Sequence, residues 1–265
     1  MRPPLFYRRS GQGPALLLLH GYASSSLFWE PLRRELEPDF DVIAPDWPGF
    51  GRSQSLEPCR TVQEFAGRVL DLADFLGLER FHVLGHSMGG FPVQELLVSH
   101  PRRLASATLY GSGLRVDKAR RFESIAQTME RLERQGPLAS SLPVLEKWFA
   151  RPGRHVGERE LCRRALQGMT VEGAAAALNA FESVDYTGRL GQAQAPVLVI
   201  LGQHERSHPP ASALALVQAM TQASLCVLPD CGHAAHLEQP VLFVQALRQF
   251  LLRRERLQGS VRATC

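Results

Sequence analysis

The chain has 265 residues, 45% hydrophobic and 21% charged, with a formal net charge of +4. That length allows one large core, and the balance is that of an ordinary globular protein. The positive excess forms no long basic run, so nothing in it supports a nucleic-acid surface, and no stretch approaches the ~18 apolar residues of a membrane span. The five cysteines, odd in number, irregularly spaced and without C-x-x-C, read as free thiols and not as a metal site. Ala15 to Leu19 is too short an apolar run for an export signal, and Gly11-Gln12-Gly13 before it is polar. A cytoplasmic chain is expected.

In chain order, Leu5 to Tyr7 is expected to form an edge strand, closed by a turn at Gly11-Gln12-Gly13-Pro14. Ala15 to Leu19 is the continuous apolar run of a strand buried on both faces of a parallel sheet. It leads into His20-Gly21-Tyr22-Ala23, a loop at the strand's carboxyl end, where open α/β sheets receive ligands. Phe28, Trp29, Leu32 and Leu36 mark a short amphipathic helix, and Phe40 to Ala44 the next strand. The Gly/Pro-rich stretch from Pro45 to Ser53 has neither G-K-[ST] nor G-x-G-x-x-G, so it reads as a structural turn. Thr61-Val-Gln-Glu64 is a capping box opening a helix that buries Val62, Phe65, Val69, Leu72, Phe75 and Leu76.

Gly85-His86-Ser87-Met88-Gly89 follows the β-prone Phe81-His82-Val83-Leu84 and precedes Val93, Leu96 and Leu97 at helical spacing. Ser87 therefore falls on a strand-to-helix turn, the context a G-x-S-x-G nucleophile requires. The glycines answer to crowding in that turn. Leu104 to Tyr110 is a further strand, after which strand–helix alternation stops. Residues 114–185 are helical in composition, broken at Gly136-Pro137, Pro143 and Pro152-Gly153, and are expected to form a cap over a core of residues 1–113 and 186–265. Trp148 and Phe149 are candidates for lining a substrate pocket there. Alternation resumes with Pro196 to Leu201, a helix from Pro209-Pro210 to Met220, a last strand from Leu225 to Leu228, and a closing helix from Pro240 to Leu252. Residues 253–265 are expected to fray.

Three loops, each directly after a strand, carry Ser87, Glu205 and His233 in that order. A serine hydroxyl needs a base to act as a nucleophile, and a carboxylate behind a histidine fixes its tautomer. At this point the chain resembles the α/β-hydrolase family. The resemblance rests on His20-Gly21, Asp46-x-x-Gly49-x-Gly51-x-Ser53, Gly85-His-Ser-Met-Gly-Gly90, the strand at 196–201 and Gly232-His233-x-x-His236-Leu-Glu238. It implies a mostly parallel sheet flanked by helices, with Ser87 as nucleophile, His233 as base, and the N–H groups of Tyr22 and Met88 as the oxyanion hole. The family's usual acid is Asp; here Glu205 stands at its place, with Asp117 and Asp185 as rivals. His233 and His236 are spaced like a metal pair but have no third ligand, so neither metal nor cofactor is expected. A serine at the turn argues against the dehalogenase and epoxide hydrolase branches, which resemble this one but carry Asp there. The carbon–carbon bond hydrolases typically have Asn before the serine and Trp after the histidine, where this chain has His86 and Ala234. A carboxylic ester or thioester hydrolase acting on a small acyl substrate leads. A carbon–carbon bond hydrolase, a lyase or acyltransferase with the same triad, and a non-catalytic binding member remain as alternatives. The sequence leaves the oligomeric state open.

Overall fold

Successive residues of a strand point to opposite faces of its sheet, and this sheet buries both. Leu17, Leu19, Ile43, Val83, Ala107, Leu109 and Val199 enter one core. Leu16, Leu18, Val42, Ala44, Leu84, Leu198 and Ile200 enter another. The computed structural model describes residues 4–116 and 124–262, with side chains to residue 253. Its strands are β1 (Tyr7–Ser10), β2 (Ala15–Leu19), β3 (Asp41–Pro45), β4 (Phe81–His86), β5 (Leu104–Tyr110), β6 (Val197–Gly202) and β7 (Ala223–Leu228). Among the described residues they form one seven-stranded sheet in the order β1-β3-β2-β4-β5-β6-β7. Only β1 is antiparallel to its neighbour.

The helices are α1 (Glu30–Leu36), α2 (Val62–Phe75), α3 (Gly90–Ser99), α4 (Ile125–Glu146), α5 (Val156–Ala165), α6 (Val171–Glu182), α7 (Pro210–Gln218), α8 (Ala235–Glu238) and α9 (Pro240–Arg262). Apolar residues of α2, α3 and α7 fill the first core, and those of α1 and α9 the second. This is the α/β architecture that strand–helix alternation predicts. Among the described residues no helix is long and apolar enough to cross a membrane.

Helices α4 to α6 are inserted between β5 and β6 and reach both cores. Leu132, Met169, Ala177 and Phe181 join the first, and Leu145, Trp148, Phe149 and Cys162 the second. The two ends of the insertion meet in an antiparallel bridge of Arg115 with Asp185, and Tyr186 N–H donates to Leu114 O at 2.9 Å. Gly136, at φ +76°, kinks α4, whereas Pro143 is carried inside it without ending it. The edge strand starts later than its apolar residues suggest: Leu5 is a core residue, and pairing with β3 fixes β1 from Tyr7. The last helix runs past Leu252 to Arg262; the good helix formers from Arg253 to Gln258 carry it on, and no proline stops it. At α2, Thr61 accepts from Glu64 N–H as expected, but the Glu64 carboxylate takes the N–H of Arg60.

Two glycines give opposite predictions. A Cβ at Gly85 would run into the backbone of Gly89 and Gly90, while one at Gly67, within α2, would meet nothing within 4 Å. Gly85→Ala should cost at least ~1–3 kcal/mol through overpacking. Gly67→Ala should add ~0.5–1 kcal/mol. Urea unfolding of the two variants checks the pair; equal effects would contradict the packing described.

Candidate active site

From Phe81 to Leu97 every residue is buried except Ser87. The chain leaves β4, turns at Ser87 with φ +52°, and enters α3 through one 3-10 turn. The turn is wedged by backbone carbonyls and by the Ser112 side chain. A Cβ at Gly89 would stand 2.5 Å from Leu19 O and 2.8 Å from His20 O, and one at Gly90 would run into Ser112. With no room to sink, the Ser87 side chain is the part of the turn left facing out.

The loop after β2 lies against it: a Cβ at Gly21 would be 3.1 Å from Ser87 Cβ. His20 fixes that loop. Trp47 N–H donates to His20 Nε2 at 3.1 Å, so the ring proton sits on Nδ1 and is donated to Gly21 O at 2.8 Å. Burial lowers the His20 pKa to about 4, against the opposing pull of Asp46 and the Gly21 carbonyl. Asp46 is buried and accepts Ser26 N–H at 2.5 Å and Arg52 N–H at 2.8 Å, which makes the Gly/Pro-rich stretch the structural turn its sequence suggests.

His233 and Glu205 meet in the interior. His233 Nδ1 lies 2.7 Å from Glu205 Oε2, and both residues are buried. The other carboxylate oxygen accepts Ser207 N–H at 2.7 Å. Burial alone would raise the Glu205 pKa; the charge and hydrogen bond of His233, with His208 and Ser207, outweigh it and leave the carboxyl below its ordinary value. Gly111, at φ +54°, makes room for the pair: a Cβ there would be 3.0 Å from Glu205 Oε2 and 3.1 Å from His233 Nδ1. The ring of His233 is 4.4 Å from that of His86, the residue before Ser87.

Behind His233 lies a layer of polar rings that local sequence patterns do not reveal. His86 Nε2 is 3.0 Å from His233 O, and the Tyr110 hydroxyl donates to the same carbonyl at 2.9 Å. His236 presents Nδ1 to the Tyr110 hydroxyl at 3.1 Å and Nε2 to Phe28 O at 3.1 Å. His86 thus supports the turn, as its position implies, and it does so by holding the histidine loop. His236 is held by a phenol and a carbonyl, and no group of three or more metal-binding side chains occurs among the described residues. Trp148 is buried with its ring 5.8 Å from that of His233, and Phe149 is buried and stacked on His155. Asp185 is paired with Arg115 at the foot of the insertion, and Asp117 lies outside the described residues.

The buried histidines set a pH dependence. An unfolded histidine titrates near 6.5, whereas burial lowers His20 to about 4 and His236 to about 3. Between those values the unfolded chain binds protons that the folded chain refuses, so stability should rise with pH up to about 6.5 and level off above it. Each group adds a slope of at most ~1.4 kcal/mol per pH unit. Urea unfolding from pH 5 to 8 measures this, and His236→Asn should lower the slope by close to one proton. An unchanged slope would mean that His236 is charged in the fold.

A family model described as alpha/beta hydrolase fold matches residues 14–240. A 2-hydroxy-6-oxononadienedioate/2-hydroxy-6-oxononatrienedioate hydrolase of Pseudomonas putida is 30% identical over 267 residues, 93% of this chain and 91% of that protein. The enol-lactonase of Burkholderia xenovorans LB400 superposes with a TM-score of 0.87 at 26% identity, covering 94% of this chain and 96% of that one. An esterase of Thermogutta terrifontis gives 0.85 at 30% identity, covering 94% and 93%. With its sheet order, its serine turn and a family match over most of its length, the chain belongs to the α/β-hydrolase family.

Proposed function

We propose that this hydrolase cleaves a carboxylic ester or thioester through an acyl-enzyme on Ser87, with His233 as base and Glu205 as acid. The observation that carries this reading is the buried 2.7 Å contact of His233 Nδ1 with Glu205 Oε2. A carboxylate there keeps the proton on Nδ1, which leaves the lone pair on Nε2 to take the proton of the serine hydroxyl. The serine oxygen then attacks the acyl carbon, and the imidazolium returns its proton to the leaving alcohol or thiol. Water, activated by the same histidine, releases the acid. The N–H groups of Tyr22 and Met88 stabilise the oxyanion in this scheme. It is supported by the loop of Gly21 lying against Ser87 and by the similarity to an enol-lactonase and an esterase. The helical insertion acts as the cap, and Trp148 forms part of the pocket wall beside the base. Phe149, stacked on His155 in the second core, contributes packing behind that wall.

A second reading is carbon–carbon bond hydrolysis of a vinylogous 1,5-diketone, favoured by the similarity to the Pseudomonas putida hydrolase. It uses the same side chains on a ketone. Parallel assays on p-nitrophenyl esters of graded chain length and on such a diketone separate the two by their kcat/KM values.

Two outcomes are expected. A fluorophosphonate should add its mass to the peptide containing Ser87 and abolish turnover; an adduct elsewhere, with Ser87→Ala still active, would refute the assignment. Glu205→Gln should fold and bind, with kcat lower by roughly 10²–10⁴-fold. An activity loss of less than about threefold would remove Glu205 from the acid's role.

A further inference from the structure

Glu238 is the last residue of the Gly232-His233-x-x-His236-Leu-Glu238 stretch, and its side chain is fully buried. A buried carboxylate is costly unless its oxygens are satisfied. Here Oε2 accepts Gly232 N–H at 2.6 Å, and Oε1 accepts Ala150 N–H at 2.9 Å and Arg151 N–H at 3.4 Å. Gly232 is the residue before His233, while Ala150 and Arg151 belong to the insertion between α4 and α5. His155 Nε2, from the start of α5, stands 3.8 Å from Oε1. The two backbone segments touch directly as well. Ala234 N–H donates to Trp148 O at 3.0 Å, and a Cβ at Gly232 would be 2.7 Å from Trp148 O.

We propose that Glu238 is a positioning residue that couples the helical insertion to the base. One carboxylate grips both sides of the joint: one oxygen holds the peptide next to His233, the other the peptides next to Trp148. A displacement of residues 148–151 by a bound substrate is therefore passed to the backbone that carries the imidazole. Among the described residues the hydrogen bonds of Glu238 go to the backbone of Gly232, Ala150 and Arg151, so its effect falls on the placement of the base. The catalytic part of this inference rests on the ester-hydrolase reading above.

The test uses the full chain. In Glu238→Gln one acceptor oxygen is replaced by a donating amide, which cannot accept an N–H, so one side of the joint must release. Hydrogen exchange should quicken both in peptides covering 145–155 and in peptides covering 226–238. Turnover of p-nitrophenyl acetate, counted per site titrated with fluorophosphonate, should fall by about tenfold or more with KM changed less than about twofold. Glu238→Asp keeps the charge and both acceptors and should recover part of the rate. Counting per titrated site separates positioning from partial unfolding, which lowers the number of sites and leaves the rate of each unchanged. An unchanged rate per site, or exchange that quickens on one side of the joint only, overturns the proposal. Where Glu238→Gln does not fold, Glu238→Asp carries the same comparison, its shorter side chain stretching the joint. A wild-type chain that neither labels at Ser87 nor turns over esters removes the ester reading instead, and the exchange result then decides the coupling.

Discussion

The constraint on which this structure depends is a serine held with a left-handed backbone. Such a conformation costs a non-glycine residue roughly 1–2 kcal/mol, and it persists only where the surroundings over-determine it. Here they do so by exclusion. Carbonyls of Leu19 and His20 close one side of the turn, Ser112 another, and the first residues of α3 fold back over Gly85. The central strand order β2-β4-β5 sets the turn after β4 between the ends of its two neighbours. Relaxing the strain would push a side chain or a carbonyl into occupied space, so the hydroxyl stays at the surface of an otherwise buried stretch.

Around that turn the fold uses buried carboxylates as ties between segments distant in sequence. Asp46 closes the loop after β3 on itself and on the residues leading into α1. Glu95, on the helix that follows Ser87, receives Gln63 Nε2 at 3.0 Å from α2 and the Tyr186 hydroxyl at 2.7 Å from the returning end of the insertion. Glu205 spans from its own turn to His233, and Glu238 from the histidine loop to the other end of the insertion. Asp46, Glu205 and Glu238 each give their two oxygens to two different segments, whereas Glu95 receives both Gln63 and Tyr186 on Oε2. An apolar contact would slide at such a joint; a carboxylate between N–H donors has one geometry. The insertion is thus anchored on the Ser87 side through Tyr186 to Glu95 and on the His233 side through Ala150 to Glu238.

Much of this was legible in the sequence where local physics decides the outcome. The run Ala15 to Leu19, short and bounded by glycine on both sides, fits a strand buried on both faces, and the glycines flanking Ser87 fit a crowded turn. The meeting of Glu205 with His233 was foreshadowed because each follows a strand directly, and a parallel sheet gathers such loops at one edge. Tyr110 was not. It ends a strand, which sequence identifies, but its hydroxyl works on a carbonyl 123 residues further on. Glu238 was visible as part of a motif while its partners, Ala150 and Arg151, lay in an insertion whose path no local pattern fixes. Trp148 and Phe149 share apolar character, so sequence treats them alike. Packing then separates them, setting one ring beside His233 and the other on His155.

Glu205, the residue proposed as the acid, has its own physical account. A carboxylate removed from water is stable only when both oxygens find donors, and the length of its side chain sets which donors it can reach. Glu205 gives Oε1 to the N–H of Ser207, two residues on, and Oε2 to the ring of His233. The first contact orients the second, because a planar carboxylate held at one oxygen has little freedom left at the other. Gly111 completes the arrangement by leaving open the volume that a side chain would take from the longer carboxylate and the imidazole together. Gly111 lies just past the end of the adjacent strand β5, where both Glu205 and His233 approach it. A Cβ at position 111 would stand 3.0 Å from Glu205 Oε2 and 3.1 Å from His233 Nδ1, so it would press on both partners at once.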